Sequence, residues 1–293
     1  MKKKILIGVA GLMVLLIAAL GIAWWQIDAI AREGIQRGTQ RATGLNTTVS
    51  EVSLGLLGGT LDVQGLQIDN PDGFDTPYLL RAGGIDTGVT LGSLFGSPVE
   101  VRHLNLHNLE VHLEQKGLKT NVQVVMDRLK KPPPPPGESP TPGPAPQPEP
   151  NEPAPPAEGK KIRVACIVVS SVTAYVRGGM PGGKTQEYTV RVPEIVLTDL
   201  TADTKRGITV DELVRRVLPA ILATVIKEST GKVPSQLLGD FRTDLLEDLS
   251  PQARELLREV GAEKLLDPNR ILDKTGETVT DGLLNRLRQR DSQ

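Results

Sequence analysis

The sequence predicts an α+β protein with an N-terminal transmembrane helix, a curved and mainly antiparallel β-sheet in two segments with a groove-like apolar face, and C-terminal helices. Three observations carry this. An uncharged run from Ile5 to Trp25 follows three consecutive lysines. Hydrophobicity alternates with period two from Thr47 to Leu113 and again from Lys161 to Leu197. From Thr209 onward the apolar residues recur with helical spacing.

Composition narrows the function classes. The 293 residues are 39% hydrophobic and 24% charged, as in ordinary globular domains, and the net charge of −1 supplies no basic field for nucleic acid. One cysteine excludes an internal disulfide and a Cys-rich zinc site, and three histidines are few for a metalloenzyme. No cofactor and no catalysis are expected.

The elements follow in chain order. Residues 1–25 are the expected anchor: 21 uncharged helical residues span roughly 31 Å, the thickness of a bilayer core. Gly21-Ile22-Ala23 could pass for a cleavage site, but a signal-peptide core is shorter, and Trp24-Trp25 suit an interfacial aromatic belt. The tight Lys2-Lys3-Lys4 cluster orients the N-terminus to the cytoplasm, with the bulk of the chain across the membrane. Residues 26–45 read as a membrane-proximal helix with Ile27, Ile30, Ala31 and Ile35 on one stripe, stopped by Gly44 and Asn46.

Residues 46–131 form the first β region. Val49 and Val52, then Leu54 and Leu56, mark one strand; Gly58-Gly59 is a hairpin signal; Leu61 and Val63, then Leu66 and Ile68, mark the next. Val99 and Val101, Leu104 and Leu106, and Leu109, Val111 and Leu113 continue the pattern. Each pair is offset from the next by one extra residue, as a β-bulge would do, so the strands should bend. Thr120 to Lys131 adds a short helix through Val122, Val125, Met126 and Leu129.

Residues 132–159 are a linker. Fourteen of the 23 prolines fall between Pro132 and Pro156, and the 26 residues to Ala157 span roughly 80 Å when extended. The expected role is a tether. Residues 160–230 hold a second β segment and a helix. Its strands run through Val164–Val169, Val172/Ala174/Val176, Tyr188/Val190/Val192 and Ile195/Leu197, with a turn at Gly178–Gly183. Thr209 and Glu212 have capping-box spacing, and Pro219 should bend the broad apolar stripe from Val210 to Ile226. Covering the sheet is the expected role of that helix. Residues 231–293 are a helical region, with one helix starting at Ser250-Pro251 and a short last one through Val279, Leu283, Leu284 and Leu287. Whether the two β segments share one sheet stays open.

No catalytic constellation emerges. His103 and His107 share a strand face but stand roughly 13 Å apart, and His112 has opposite parity, so they read as surface residues. Cys166 reads as a small buried hydrophobe, and Ser170-Ser171 lacks a nucleophile elbow. The glycine pairs lack the Lys and context of a phosphate loop. Asp244, Glu247 and Asp248 read as a solvated acidic helix face.

One local motif carries a resemblance: Leu66-Gln67-Ile68-Asp69-Asn70-Pro71-Asp72-Gly73-Phe74, a strand closed by a tight turn. It lies after an anchor, a short helix and Gly-Leu-Asn-Thr-Thr-Val, and before Ile85–Leu91, Ser93-Leu94, Val99-Glu100-Val101 and Thr120-Asn121. In this order, residues 1–130 resemble the N-terminal region of the AsmA-like proteins of the bacterial envelope, and residues 160–230 do so more loosely. The Asn-Pro turn is also similar to that of water-stress β domains. The AsmA-like resemblance implies a single-pass inner-membrane protein with a periplasmic β-groove and a part in envelope lipid homeostasis or phospholipid transport. On that reading the lipid-binding wall comprises Leu54, Leu56, Leu61, Val63, Leu66, Ile68, Val99, Val101, Leu104, Leu106 and Val111, and the partner is membrane phospholipid. The alternative is a non-catalytic envelope scaffold with dry β modules on a Pro-rich tether, engaging envelope proteins or further copies of itself.

Overall fold

The computed structural model describes residues 28–55, 58–93, 96–130, 160–179, 185–198, 200, 201, 204, 206–247, 249, 251–259 and 262. The expected anchor at Ile5–Trp25, the Pro-rich stretch and the expected last helix lie outside them. Among the described residues no helix is long and apolar enough to cross a membrane.

The architecture is α+β, with helices packed on one large curved sheet. Helix α1 spans residues 28–43. It leads into β1 (Thr47–Thr48), β2 (Glu51–Gly55), β3 (Thr60–Asp69) and β4 (Tyr78–Val89). The long β5 (Val99–Lys116), the short β6 (Lys119–Thr120) and helix α2 (Asn121–Lys130) follow. Beyond the Pro-rich stretch come β7 (Ile162–Val164), β8 (Cys166–Ser170), β9 (Val172–Gly179), β10 (Thr185–Val192) and β11 (Ile195–Thr198). Helices α3 (Val210–Ser229), α4 (Ser235–Glu247) and α5 (Pro251–Glu259) complete the order.

The two β segments are one sheet. β2, β3, β4 and β5 pair antiparallel in sequence. The other edge of β5 pairs in parallel with β7, β8 and β9 in succession, through Val101↔Val164, Leu106↔Val169 and Val111↔Ala174. β11 and β10 then add antiparallel to β8 and β9. A parallel pair needs a crossover connection, and α2 with the Pro-rich stretch supplies it. The Pro-rich stretch thus joins neighbouring strands of one sheet, not two independent sheets.

The expected slips in alternation are present, and they align. The inward face skips one residue at Val49/Val52, Val63/Leu66, Ala82/Ile85, Leu106/Leu109, Val169/Val172 and Val192/Ile195, and the registers put these steps side by side. Gly65, Asn108 and Ser171, in three of these steps, have φ of 62°, 53° and 54°. In these three steps a residue in the left-handed region returns the apolar side to the same face. The expected bulges do not form there: the extra residues lie opposite one another with no shift of register, as Gln64↔Gly84 is followed by Leu66↔Ala82 and Gly84↔His107 by Ala82↔Leu109, so the strands kink together. The result is a crease across the sheet with continuous apolar character on one side.

The slip at Asn108 also corrects a reading of the histidines. Leu106, Leu109, Val111 and Leu113 point into the core, so His107 and His112 share the opposite, polar face.

Helices α2 to α5 cover most of the apolar face. Val122, Val125 and Met126 of α2, Leu218 to Ile226 of α3, Phe241 and Leu245 of α4 and Leu257 of α5 join Leu109, Val111, Val169 and Ala174 in one buried cluster. The capping box does not form. Thr209 holds the N-cap position in extended conformation but makes no side-chain cap bond, and Glu212 pairs instead with Arg216 at 3.1 Å. Arg216 also donates to the Leu200 carbonyl at 2.8 Å, which ties α3 to the loop after β11. Pro219 lies inside α3 and is buried. Asp244 is not simply solvated: it accepts a hydrogen bond from the Thr120 hydroxyl at 2.5 Å. Cys166 is half-buried at the start of β8, on the face opposite Ile167, not in the core.

Candidate functional site

The expected lipid wall divides by burial. Val63, Ile68, Val99, Val101, Leu106 and Val111 are buried. Leu54, Leu61, Leu66 and Leu104 are half-buried, and Leu56 lies outside the described residues. Most of the wall is therefore packed core rather than an open groove: Ile68, Val101, Leu106 and Val111 join the cluster under α2 to α5, and Val63 lies under α1.

The half-buried members share a place. Among the described residues, two buried clusters lie on the apolar face, the large one under α2 to α5 and a small one of Val49, Val52 and Val63 under Ala31 and Ile35 of α1. Leu66 and Ile85 border both, Leu61 borders the small cluster, and Leu104 and Val214 border the large one. These residues form an apolar seam along the border between the cluster under α1 and the large cluster that takes in α3. The two helices meet where a Cβ on Gly38 would stand 2.6 Å from Cβ of Val210. Burial deepens along the strands. In the row Leu54–Leu61–Thr87–Leu104 only Thr87 is buried, whereas in the next row Val52, Val63 and Leu106 are buried and Ile85 is not. The seam is therefore most accessible at the end where β2 turns into β3. There Asp28, the first described residue of α1, accepts the Leu54 amide at 2.9 Å.

The polar face carries two clusters that sequence spacing did not disclose. His107 bridges Asp86, through Nε2, and Ser170, whose Oγ lies 3.0 Å from Nδ1. Partial burial pushes the Asp86 carboxyl up, but hydrogen bonds from Asn105 and His107, with the charges of His107 and His103, hold it below the usual range. A serine, histidine and carboxylate in series is the connectivity of an acyl-transfer nucleophile. Here the register accounts for it: Ser170 is the cross-strand partner of His107, and Asp86 is its diagonal neighbour. We read it as a polar ladder that joins β4, β5 and β8.

The second cluster surrounds Glu114, a buried carboxylate. It accepts the amides of Asp75 and Thr76 at 2.8 and 2.9 Å and the Thr76 hydroxyl at 2.6 Å. Asn121 donates to Asn70 Oδ1 at 2.9 Å and to the His112 carbonyl at 2.8 Å, and accepts the Glu114 amide at 2.9 Å. The Asn70–Phe74 turn is thereby fastened to the end of β5 and the start of α2. Outside it, Asp75 pairs with Lys116 at 2.6 Å, and that bond lowers its pKa. Among the described residues no group of three or more His, Cys, Asp or Glu side chains converges as a metal site.

Compared with known proteins, the chain matches no family model, and no curated protein is significantly similar to it. The AsmA-like resemblance therefore rests on the order of its short motifs.

Proposed function

We propose that the chain is a membrane-anchored, non-catalytic module of the bacterial cell envelope, AsmA-like in plan, that shields one acyl chain of a membrane phospholipid in the seam between the two buried clusters. The carrying observation is the seam itself. It is the one strip of the expected lipid wall, among the described residues, that the chain's own helices leave half-covered. Its lining of Leu61, Leu66, Ile85 and Leu104 is aliphatic, and polar side chains do not interrupt the strip except Thr87, whose hydroxyl is spent on the His103 carbonyl. An apolar chain in such a strip gains about 25 cal/mol for each Å2 withdrawn from water.

The test uses the full chain in membranes that contain a phospholipid with a photoactivatable diazirine in its acyl tail. Crosslinks should map to peptides containing Leu61, Ile85 and Leu104, and Leu104→Trp, which fills the strip from a half-exposed position, should remove them. Val63 and Leu106 are unsuitable targets: an Asp there would place a charge in the packed core and unfold the sheet. Crosslinks confined to the anchor peptide would favour the scaffold reading. That reading draws on the continuous core under α2 to α5, which leaves most of the apolar face dry.

A further inference from the structure

One end of the sheet gathers segments that are distant in sequence. The β2–β3 hairpin places Gly59 against Leu91, whose Cγ would lie 3.4 Å from an added Cβ. The Val89 amide donates to the Gly59 carbonyl at 2.6 Å. The Lys161 carbonyl accepts the Val99 amide at 2.8 Å, and Gly207 abuts both Pro98 and the Ile162 carbonyl. The first described residue of α1, Asp28, lies at the same end, accepting the Leu54 amide. The opposite end carries Leu118, in the turn between β5 and β6.

Three features of this end point the same way. Two large hydrophobics are exposed there, Ile30 at 67% and Leu91 at 41%. Arg102 and Lys161, next to the start of β5, and Arg206, next to Gly207, lie at the same end, while two of the carboxylates there are engaged: Glu100 with Arg163 at 3.3 Å and Asp28 with the Leu54 amide. The 27 residues before Asp28 include the uncharged run Ile5–Trp25, which ends three residues before the first described residue of α1. A helix that leaves a bilayer after Trp25 has no slack with which to lift this end far from the headgroups.

We propose that this end docks on the surface of the anchoring bilayer, with Ile30 and Leu91 in the interfacial layer and Arg102, Lys161 and Arg206 against lipid phosphates. This rests on the anchor in the proposed function. It adds a consequence: the accessible mouth of the seam then faces the lipid, so an acyl chain enters without crossing water. Apolar contact plus cationic side chains near an anionic headgroup layer is the combination by which peripheral surfaces hold to membranes.

The experiment uses the full chain with Cys166→Ala and a single new cysteine, either Leu91→Cys or Leu118→Cys. Both sites are exposed turns, Leu118 at 99%, so neither change touches the core. Each is labelled with an environment-sensitive fluorophore and reconstituted in phosphatidylcholine–phosphatidylglycerol vesicles with or without a shallow spin-labelled lipid. The label at 91 should shift to the blue and lose fluorescence to the quencher, and the label at 118 should do neither. Quenching at 118 alone, at both sites or at neither overturns the docking, as does failure of the chain to float with the vesicles. Tail crosslinking at Leu104 reports the seam independently. Quenching at 91 without crosslinks keeps the docking and removes the acyl-chain reading, and crosslinks without quenching do the reverse.

Discussion

His112 shows how a side chain that looks superficial in sequence can be part of a filled surface. Its ring lies edge-on to Tyr78, with centroids 4.6 Å apart, and stacked on Tyr175 at 4.7 Å. Both ring nitrogens are buried without a hydrogen-bond partner. Burial lowers its pKa and prevails over the opposing charges of Glu187, Glu110 and Glu114. The neutral form is therefore the folded form. As the pH falls through the ordinary histidine range the unfolded chain takes up a proton first, so stability present above about pH 6.5 is lost below it. Thermal melts at pH 7.5 and 5 should show a larger decline for the natural chain than for His112→Phe, which keeps the ring stack. Equal declines would remove this account, since His103 and His107 are common to both chains. Glu114 belongs to the same scale. Glu114→Gln converts an acceptor for three short hydrogen bonds into a half-donor, and urea unfolding should report a loss of about 2–3 kcal/mol. The sequence showed the Asn70–Phe74 turn but not Glu114, because the bonds that hold the turn come from 38 to 44 residues away.

At the scale of the elements the crease was legible strand by strand. The offsets between Val63 and Leu66 and between Leu106 and Leu109 can be counted in the sequence, and each predicts a bulge; in the sheet they lie opposite one another without a register shift and make a shared kink instead. Their alignment could not be counted, because it depends on register, which is set by packing across the sheet. Gly65 is the sharpest test of it. Its φ is +62°, and an added Cβ would stand 2.3 Å from Ser50 Oγ. Gly65→Ala should cost about 1–2 kcal/mol from backbone conformation alone, with the contact added to it. Ser50→Ala in that background should restore the contact part and leave the backbone part. A neutral Gly65→Ala in chemical denaturation would mean that β3 passes the crease without the left-handed residue. The capping box was misread for a related reason. Thr209 and Glu212 have the right spacing, but Arg216 four residues on from Glu212 competes for its carboxylate.

At the scale of the whole molecule the sheet changes what the Pro-rich stretch is for. Local pattern identified both β segments, but nothing local encodes that β7 to β9 choose β5 as a parallel partner. Composition alone suggested a tether that lets two halves separate. The pairing makes the halves interdependent: β8 and β9 lie along β5, and α3 joins the same buried cluster as α2. Twenty-nine residues lie between Lys130 and Lys160, which extended reach roughly 90 Å. β5 itself, at 18 residues, is roughly 60 Å long. The crossover thus has more chain than the distance along the sheet demands. Halving a loop changes its closure entropy by only about 0.6 kcal/mol, in the stabilising direction. Deleting Pro140–Pro146, which leaves 22 residues and roughly 68 Å of reach, should therefore leave the melting temperature unchanged or slightly raised. Cleavage at a protease site inserted within 132–157 should yield two fragments that co-elute in size exclusion until denaturant is added. Fragments that separate in native buffer would restore the tether and would break the β5–β9 pairing on which the single sheet depends.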